Sequence, residues 1–163
     1  MLSFNRRNFC LGAFSALSAC GFTPVYGPAG GASALENKLL VDAPQSRDAF
    51  LMTQEIEQRL GRSASPIYGL STAIIVREEA IAINASNITT RYNLLGDVTY
   101  ALRDLESGKV LSSGTVNNFT GYSASGSTTA TQAAERDARA RLMSILTDQM
   151  LTRLTATLPV PAQ

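Results

Sequence analysis

Ile88-Thr89-Thr90-Arg91-Tyr92-Asn93-Leu94-Leu95-Gly96-Asp97-Val98-Thr99-Tyr100-Ala101-Leu102 is the most regular pattern in this 163-residue chain. In an extended backbone, Tyr92, Leu94, Val98, Tyr100 and Leu102 fall on one face, and Thr89, Arg91, Asn93, Asp97, Thr99 and Arg103 on the other. Alternation of period two with one apolar face predicts a half-buried antiparallel strand, because successive side chains leave a strand on opposite sides. Gly96 interrupts the apolar row, which marks a bulge or a point where another element comes close.

Working outward, Glu106-Ser107-Gly108-Lys109 has hairpin-turn chemistry, and Val110 to Tyr122 returns as a further strand carrying Val116, Phe119 and Tyr122. On the other side, Asn84 to Asn87 is a turn, preceded by a long strand from Leu70 through Ala73-Ile74-Ile75-Val76 to Ala80-Ile81-Ala82-Ile83. An irregularity is expected where that strand crosses Arg77-Glu78-Glu79. At about 3.3 Å per residue such strands approach 50 Å, long enough to project beyond a small core. Lys38-Leu39-Leu40-Val41-Asp42 reads as a short first strand. Ser46 or Asp48 then caps a helix with Met52, Ile56 and Leu60 on one side and Gly61 closing it. A second helix, about Thr129 to Ala156, turns Ala138, Leu142, Ile145, Leu146, Met150 and Leu154 toward the sheet and Arg136, Arg139, Asp148 and Arg153 outward, with Pro159 and Pro161 ending it. The element order is β-α-β-β-β-α. It predicts an α+β two-layer sandwich, a mostly antiparallel four-stranded sheet with two helices on one face.

The N-terminus is a different kind of sequence. Arg6 and Arg7 precede an apolar run from Phe9 to Leu17, too short for the roughly twenty residues that cross a bilayer, and the run ends in Leu17-Ser18-Ala19-Cys20. This is a secretory signal with a bacterial lipobox, so residues 1–19 read as a signal peptide and Cys20 as the acylated mature N-terminus. Asn5-Arg6-Arg7-Asn8-Phe9 also resembles a twin-arginine export signal in part. Gly21 follows the cysteine in place of the aspartate that retains many lipoproteins at the inner membrane, which favours the outer membrane by resemblance to known sorting. Residues 20–37, with Pro24, Pro28 and Gly30-Gly31-Ala32-Ser33, read as a lipidated tether unable to sustain a helix. Residues 38–158 form one domain, and 159–163 are a tail. Cys10 leaves with the signal and Cys20 is acylated, so the exported chain holds no disulfide and depends on its packed core.

Composition excludes several activities. There is no histidine, which removes Ser-His-Asp and Cys-His nucleophile pairs, His-ligated metals and imidazole acid–base chemistry. The formal charge of +1 supplies no basic stripe for nucleic acid. Lys38 and Lys109 are the only lysines, the second in a hairpin turn, so Ser-Lys catalysis has no buried base. No phosphate loop, metal cluster or secluded carboxylate pair is legible. The chain reads as a non-enzymatic binding or assembly part without cofactors, apart from the diacylglyceryl and acyl chains expected on Cys20, which tie it to a membrane.

The lipobox, the opening Cys20-Gly21-Phe22-Thr23-Pro24-Val25-Tyr26, the strand and helix ending at Leu60-Gly61, the Thr90-Arg91-Tyr92-Asn93-Leu94 strand and the long last helix together resemble LptE, the lipopolysaccharide-assembly lipoprotein family. That resemblance implies an outer-membrane lipoprotein whose domain plugs the lumen of the LptD β-barrel and assists its assembly and the delivery of lipopolysaccharide. It also implies basic loop-tip residues contacting lipopolysaccharide phosphates. Here the sequence departs, since Asn84 to Thr89 and Ser123 to Thr131 contain no Lys or Arg. Arg91 and Arg77, on the strands flanking the first loop, are the substitutes by proximity, against a reading as ordinary exposed strand charges. Tyr92 and Tyr100 read as core aromatics, whereas Phe119 and Tyr122 are either core or barrel-facing. An auxiliary lipoprotein of another lipid or solute transport system would share the anchor and the body, and a small periplasmic hydrolase is a further alternative.

Overall fold

The computed structural model describes residues 31–158. The signal peptide, Cys20, the first part of the tether and the tail with Pro159 and Pro161 lie outside the described residues. The elements are α1 (Gly31–Leu35), β1 (Leu39–Val41), α2 (Arg47–Leu60), β2 (Tyr68–Ile83), β3 (Thr89–Asp104), β4 (Val110–Ser123) and α3 (Thr128–Thr157). The sheet order is β1-β2-β3-β4; β1 runs parallel to β2 and the other pairs are antiparallel. The helices pack on one side, as the α+β reading expects.

The β3 alternation survives in detail. Leu94, Val98, Tyr100 and Leu102 are buried beneath the helices, while Arg91 and Thr99 are exposed on the other face. Gly96 is a close-approach point rather than a bulge: a Cβ there would lie 2.7 Å from Leu146 Cδ1 and 3.1 Å from Leu142 Cδ2. The absent side chain lets α3 sit directly on the centre of the sheet.

α2 starts at Ser46, whose Oγ accepts a hydrogen bond from the Ala49 N–H at 3.1 Å, so the cap falls on Ser46 and not Asp48. It buries Met52, Ile56 and Leu60. Gly61 closes it at φ 77°, a left-handed conformation that suits glycine, and leaves no room for a side chain beside Asn37. α3, about 45 Å long at 1.5 Å per residue, buries two adjoining stripes. Ala138, Leu142, Leu146, Met150 and Leu154 form one, and Met143, Thr147, Leu151 and Thr155 form the other. Ile145, expected inward, is only half-buried at the margin. Arg139, expected outward, is also half-buried and engaged with α2.

Two expectations are corrected. The tether does not extend to residue 37, because Gly31–Leu35 is helical and Leu35 is fully buried. Burial of a leucine, about 1.5–3 kcal/mol, outweighs the weak propensity of a Gly-Ala-Ser start. The Asn37 N–H then donates to the Leu60 carbonyl at 2.8 Å, fixing α1 against the end of α2. The β2 irregularity falls after the charged triplet, between Ala80 and Ile83. Arg77 and Glu79 lie on the uncovered face in regular alternation, and Glu78 finds a partner on the covered one, so the triplet needs no break.

Thr147 is fully buried and its hydroxyl has no hydrogen-bond partner among the described residues. Such a group forfeits its hydration without replacement. Thr147→Val keeps the shape and removes the unmet hydroxyl, and is expected to raise the unfolding free energy by about 1 kcal/mol. A higher urea midpoint at unchanged slope is the check; a lower midpoint would show that the hydroxyl is satisfied.

Candidate functional site

Strand register sorts the sequence-derived candidates between the two faces. Arg77 lies opposite Leu95, and Leu95 opposite Phe119, forming one row across β2, β3 and β4 on the face that no helix among the described residues covers. The Arg77 guanidinium donates to Asp97 Oδ2 at 2.6 Å. Around this row runs a shallow groove lined by Arg77, Leu95, Gly96, Asp97, Asn117, Asn118 and Phe119. Phe119 is 61% exposed and Ile75, next to Asp97, 59%. Toward β1 the same face carries the smaller residues Ser71, Ala73, Thr99, Ala101 and Ser113, and toward the 84–88 loop Glu79 and the exposed Ile83 opposite Thr89. An exposed aromatic among amides and a neutralised ion pair has the make-up of a protein-contact surface, with an apolar anchor and a polar surround.

Arg91 stands four residues before Leu95 on the same face, about 13 Å along β3. It is exposed, lies opposite Ala82 and Ser123, and makes no ion pair among the described residues. The structure therefore brings Arg77 and Phe119 into one groove and leaves Arg91 nearer the loop ends.

Tyr122 departs from the barrel-facing alternative. It sits opposite Tyr92 on the covered face, buried, with the two rings stacked at 5.3 Å and 15°. Its hydroxyl donates to Glu78 Oε2 at 2.9 Å. The cause is parity: Phe119 and Tyr122 are three residues apart, so a strand sends them to opposite faces. Tyr100 is buried as expected, and Tyr92 is half-buried in the stack.

Beside Glu78 the helices add Arg139, which donates to Asp48 Oδ2 at 3.2 Å and to Glu135 Oε1 at 3.0 Å. The sequence pattern brings neither Glu78 nor Glu135 into a secluded carboxylate pair, and it offers Asp48 as an alternative helix cap. The i,i+4 spacing of Glu135 and Arg139 was the available signal, but only the fold adds β2 and α2 to the group. Burial draws the Arg139 guanidinium down, and the Glu135 hydrogen bond with the charges of Asp48, Glu135 and Glu78 more than reverses this, so its pKa is raised and the cation is fixed. The network joins α2, α3, β2 and β4 near the loop ends and has the character of a structural clasp. Among the described residues no group of three or more Cys, Asp or Glu side chains is arranged to hold a metal ion.

Burial, and then the adjoining Glu78 carboxylate, push the Tyr122 phenol well above its ordinary value of 10.0. A raised folded-state pKa means that the folded protein keeps a proton the unfolded chain releases. This contribution is complete below pH 10 and is lost as pH rises beyond it. Tyr122→Phe is expected to flatten the fall of Tm between about pH 9 and 11. An equal alkaline fall in both proteins would assign the loss to other groups.

The family model described as LptE, Lipopolysaccharide-assembly, matches residues 37–154. The chain belongs to the LptE family. The match spans β1 through nearly all of α3, and LptE proteins are non-enzymatic lipoproteins. Solved structures share the fold. A protein of Caulobacter crescentus CB15 described as a lipoprotein is similar at TM-score 0.67 and 23% identity, over 80% of this chain and 96% of that one. Rare lipoprotein B of Shewanella oneidensis gives TM-score 0.56 at 11% identity, over 74% and 93%. A minor lipoprotein of Acinetobacter baumannii gives 0.54 at 14%, over 73% and 89%. No curated protein sequence matches. Among the described residues, no helix of this LptE chain is long and apolar enough to cross a membrane.

Proposed function

We propose that this LptE-family protein is exported with residues 1–19 as its signal peptide, acylated at Cys20 and held at the outer membrane. There its domain occupies the lumen of the LptD β-barrel, supporting barrel assembly and the passage of lipopolysaccharide to the cell surface. The observation that carries the proposal is the family match over residues 37–154. The sheet face left open by the described helices supports it physically: with Arg77 and Arg103 paired to acids and Phe119 exposed among amides, it suits a polar enclosing wall, where area and hydrogen bonding matter more than net attraction. α1 and the Asn37 that follows it are fixed at the end of α2, whereas both loops that lack Lys and Arg lie at the opposite end of the sheet. α1 and the loop end are thus separated by the length of the ribbon. In this reading Arg91, on the shoulder of the loop end, is the first candidate for a lipopolysaccharide phosphate, and Arg77, already held by Asp97, the second.

The test is purification of the Cys20-lipidated protein from outer membranes in mild detergent, with the retained proteins identified by mass spectrometry. A large β-barrel retained in about equimolar amount through high salt is the expected result, with photocrosslinks from positions 119 and 91 reaching its interior. A transport ATPase complex in its place would overturn the proposal and favour an auxiliary transport lipoprotein.

A further inference from the structure

The two outer edges of the sheet are finished differently. On β4 the outward backbone groups belong to odd-numbered residues, and side chains occupy several of them. Arg153 donates to the Thr115 carbonyl at 2.5 Å, Arg141 to the Gly121 carbonyl at 3.5 Å, and the Asn118 side chain accepts from the Phe119 N–H at 2.8 Å. Side-chain capping of this kind keeps another strand from pairing there. On β2 the opposite holds. β1 pairs only with Tyr68 to Leu70, and the Asp42 N–H makes the last bond on that side, to the Leu70 carbonyl. Beyond it the outward N–H and C=O groups of Thr72, Ile74, Val76, Glu78 and Ala80 have no partner among the described residues. This open run is about 26 Å long.

The edge is also roofed at its start. Where the chain leaves β1 through Ala43 and Pro44, a groove of about 300 Å³ remains between β2 and α2, lined by Pro44, Ala49, Thr53, Thr72 and Ile74. Ile74 and Val76 are half-buried and packed against the core. A strand laid along this edge would continue the row that β1 begins, with alternate side chains extending the apolar layer beside Ala49 and Thr53. Its other side chains would face the uncovered side of the sheet.

We propose that the β2 edge from Thr72 to Ala80 takes up an extended segment of the barrel partner as an added β-strand. This rests on the preceding proposal for the source of the strand. The segment must be one that lies inside the lumen, since strands of a closed barrel wall have their backbone groups already paired. Backbone bonding supplies the contact, and the alternation supplies the register.

The test compares amide hydrogen exchange in the lipidated protein, alone and in the purified complex. The outward amides at 72, 74, 76, 78 and 80 are expected to slow by about a hundredfold in the complex. Val76→Pro removes one outward N–H while sparing the bonds to β3, and is expected to cut barrel retention about tenfold at little change in Tm. Ser113→Pro, equivalently placed on the β4 edge, is expected to retain it. If the wild-type protein retains no barrel, both proposals fall. If it retains the barrel while these amides exchange at the free rate, only the added strand is overturned, whether or not Val76→Pro folds. Protection that appears without the barrel and grows with protein concentration would assign the edge to a second copy of the chain and overturn it equally.

Discussion

Leu146→Ala is expected to lower the unfolding free energy by about 3 kcal/mol, within the range of roughly 2–5 kcal/mol for such truncations in a tight core. Leu146 is fully buried at the middle of α3, and its Cδ1 reaches into the space above Gly96. Neighbours on three sides restrain the site from collapsing: the β3 backbone below, Leu142 one turn earlier and Met150 one turn later. A cavity therefore persists and adds to the lost transfer free energy. For a domain of this size the change corresponds to a fall in Tm of about 10 °C. Calorimetry or urea unfolding measures it, and a loss under about 1 kcal/mol would mean that α3 settles onto the sheet to refill the space.

Gly96→Val addresses the same contact from the other side. Its Cβ alone would stand 2.7 Å from Leu146 Cδ1 and 3.1 Å from Leu142 Cδ2, closer than carbon atoms approach without displacement. Two further methyl groups force both leucines off their rotamers or lift α3, an overpacking cost of about 1–3 kcal/mol. The two substitutions are coupled with a predictable sign. In the double variant the valine methyls enter the volume that Leu146 vacates, so the combined loss is smaller than the sum by at least about 1 kcal/mol. Additive losses in the double-mutant cycle would show that helix and sheet do not meet at this point.

The features legible in the sequence were those with a local cause. The β3 alternation, a helix cap at Ser46 or Asp48, the Gly61 stop and the apolar stripe of α3 each follow from side chains within a few positions of one another, and each is found in the fold, with the cap at Ser46 and Ile145 at the stripe's margin. α1 was missed because its local composition opposes a helix and only the distant burial of Leu35 favours it. The parallel pairing of β1 was equally hidden, since three residues carry no directional signal and the crossover through α2 decides it. For the candidate site, parity could have told Phe119 from Tyr122, but grouping Phe119 with Arg77 required the register across β3. That register is set by turn geometry and by the shift near Val110, neither of which is written in residue identity. The clasp of Glu78, Tyr122 and Arg139 joins three elements far apart in the chain, beyond the reach of any local pattern.

The sheet carries its strands in the order in which they occur along the chain. β2, β3 and β4 are linked by the short segments 84–88 and 105–109, so the two largest interfaces of the sheet form between neighbours in sequence. Short loops cost little entropy to close, and topologies rich in such local pairings fold fast for their size. The β1–β2 pairing, the seating of α2 on α3 and the packing of α1 beside α3 join more distant parts of the chain. During synthesis the chain can thus complete most of its sheet once residue 123 has emerged, and the return of α3 then closes the apolar face before it is long exposed to other chains.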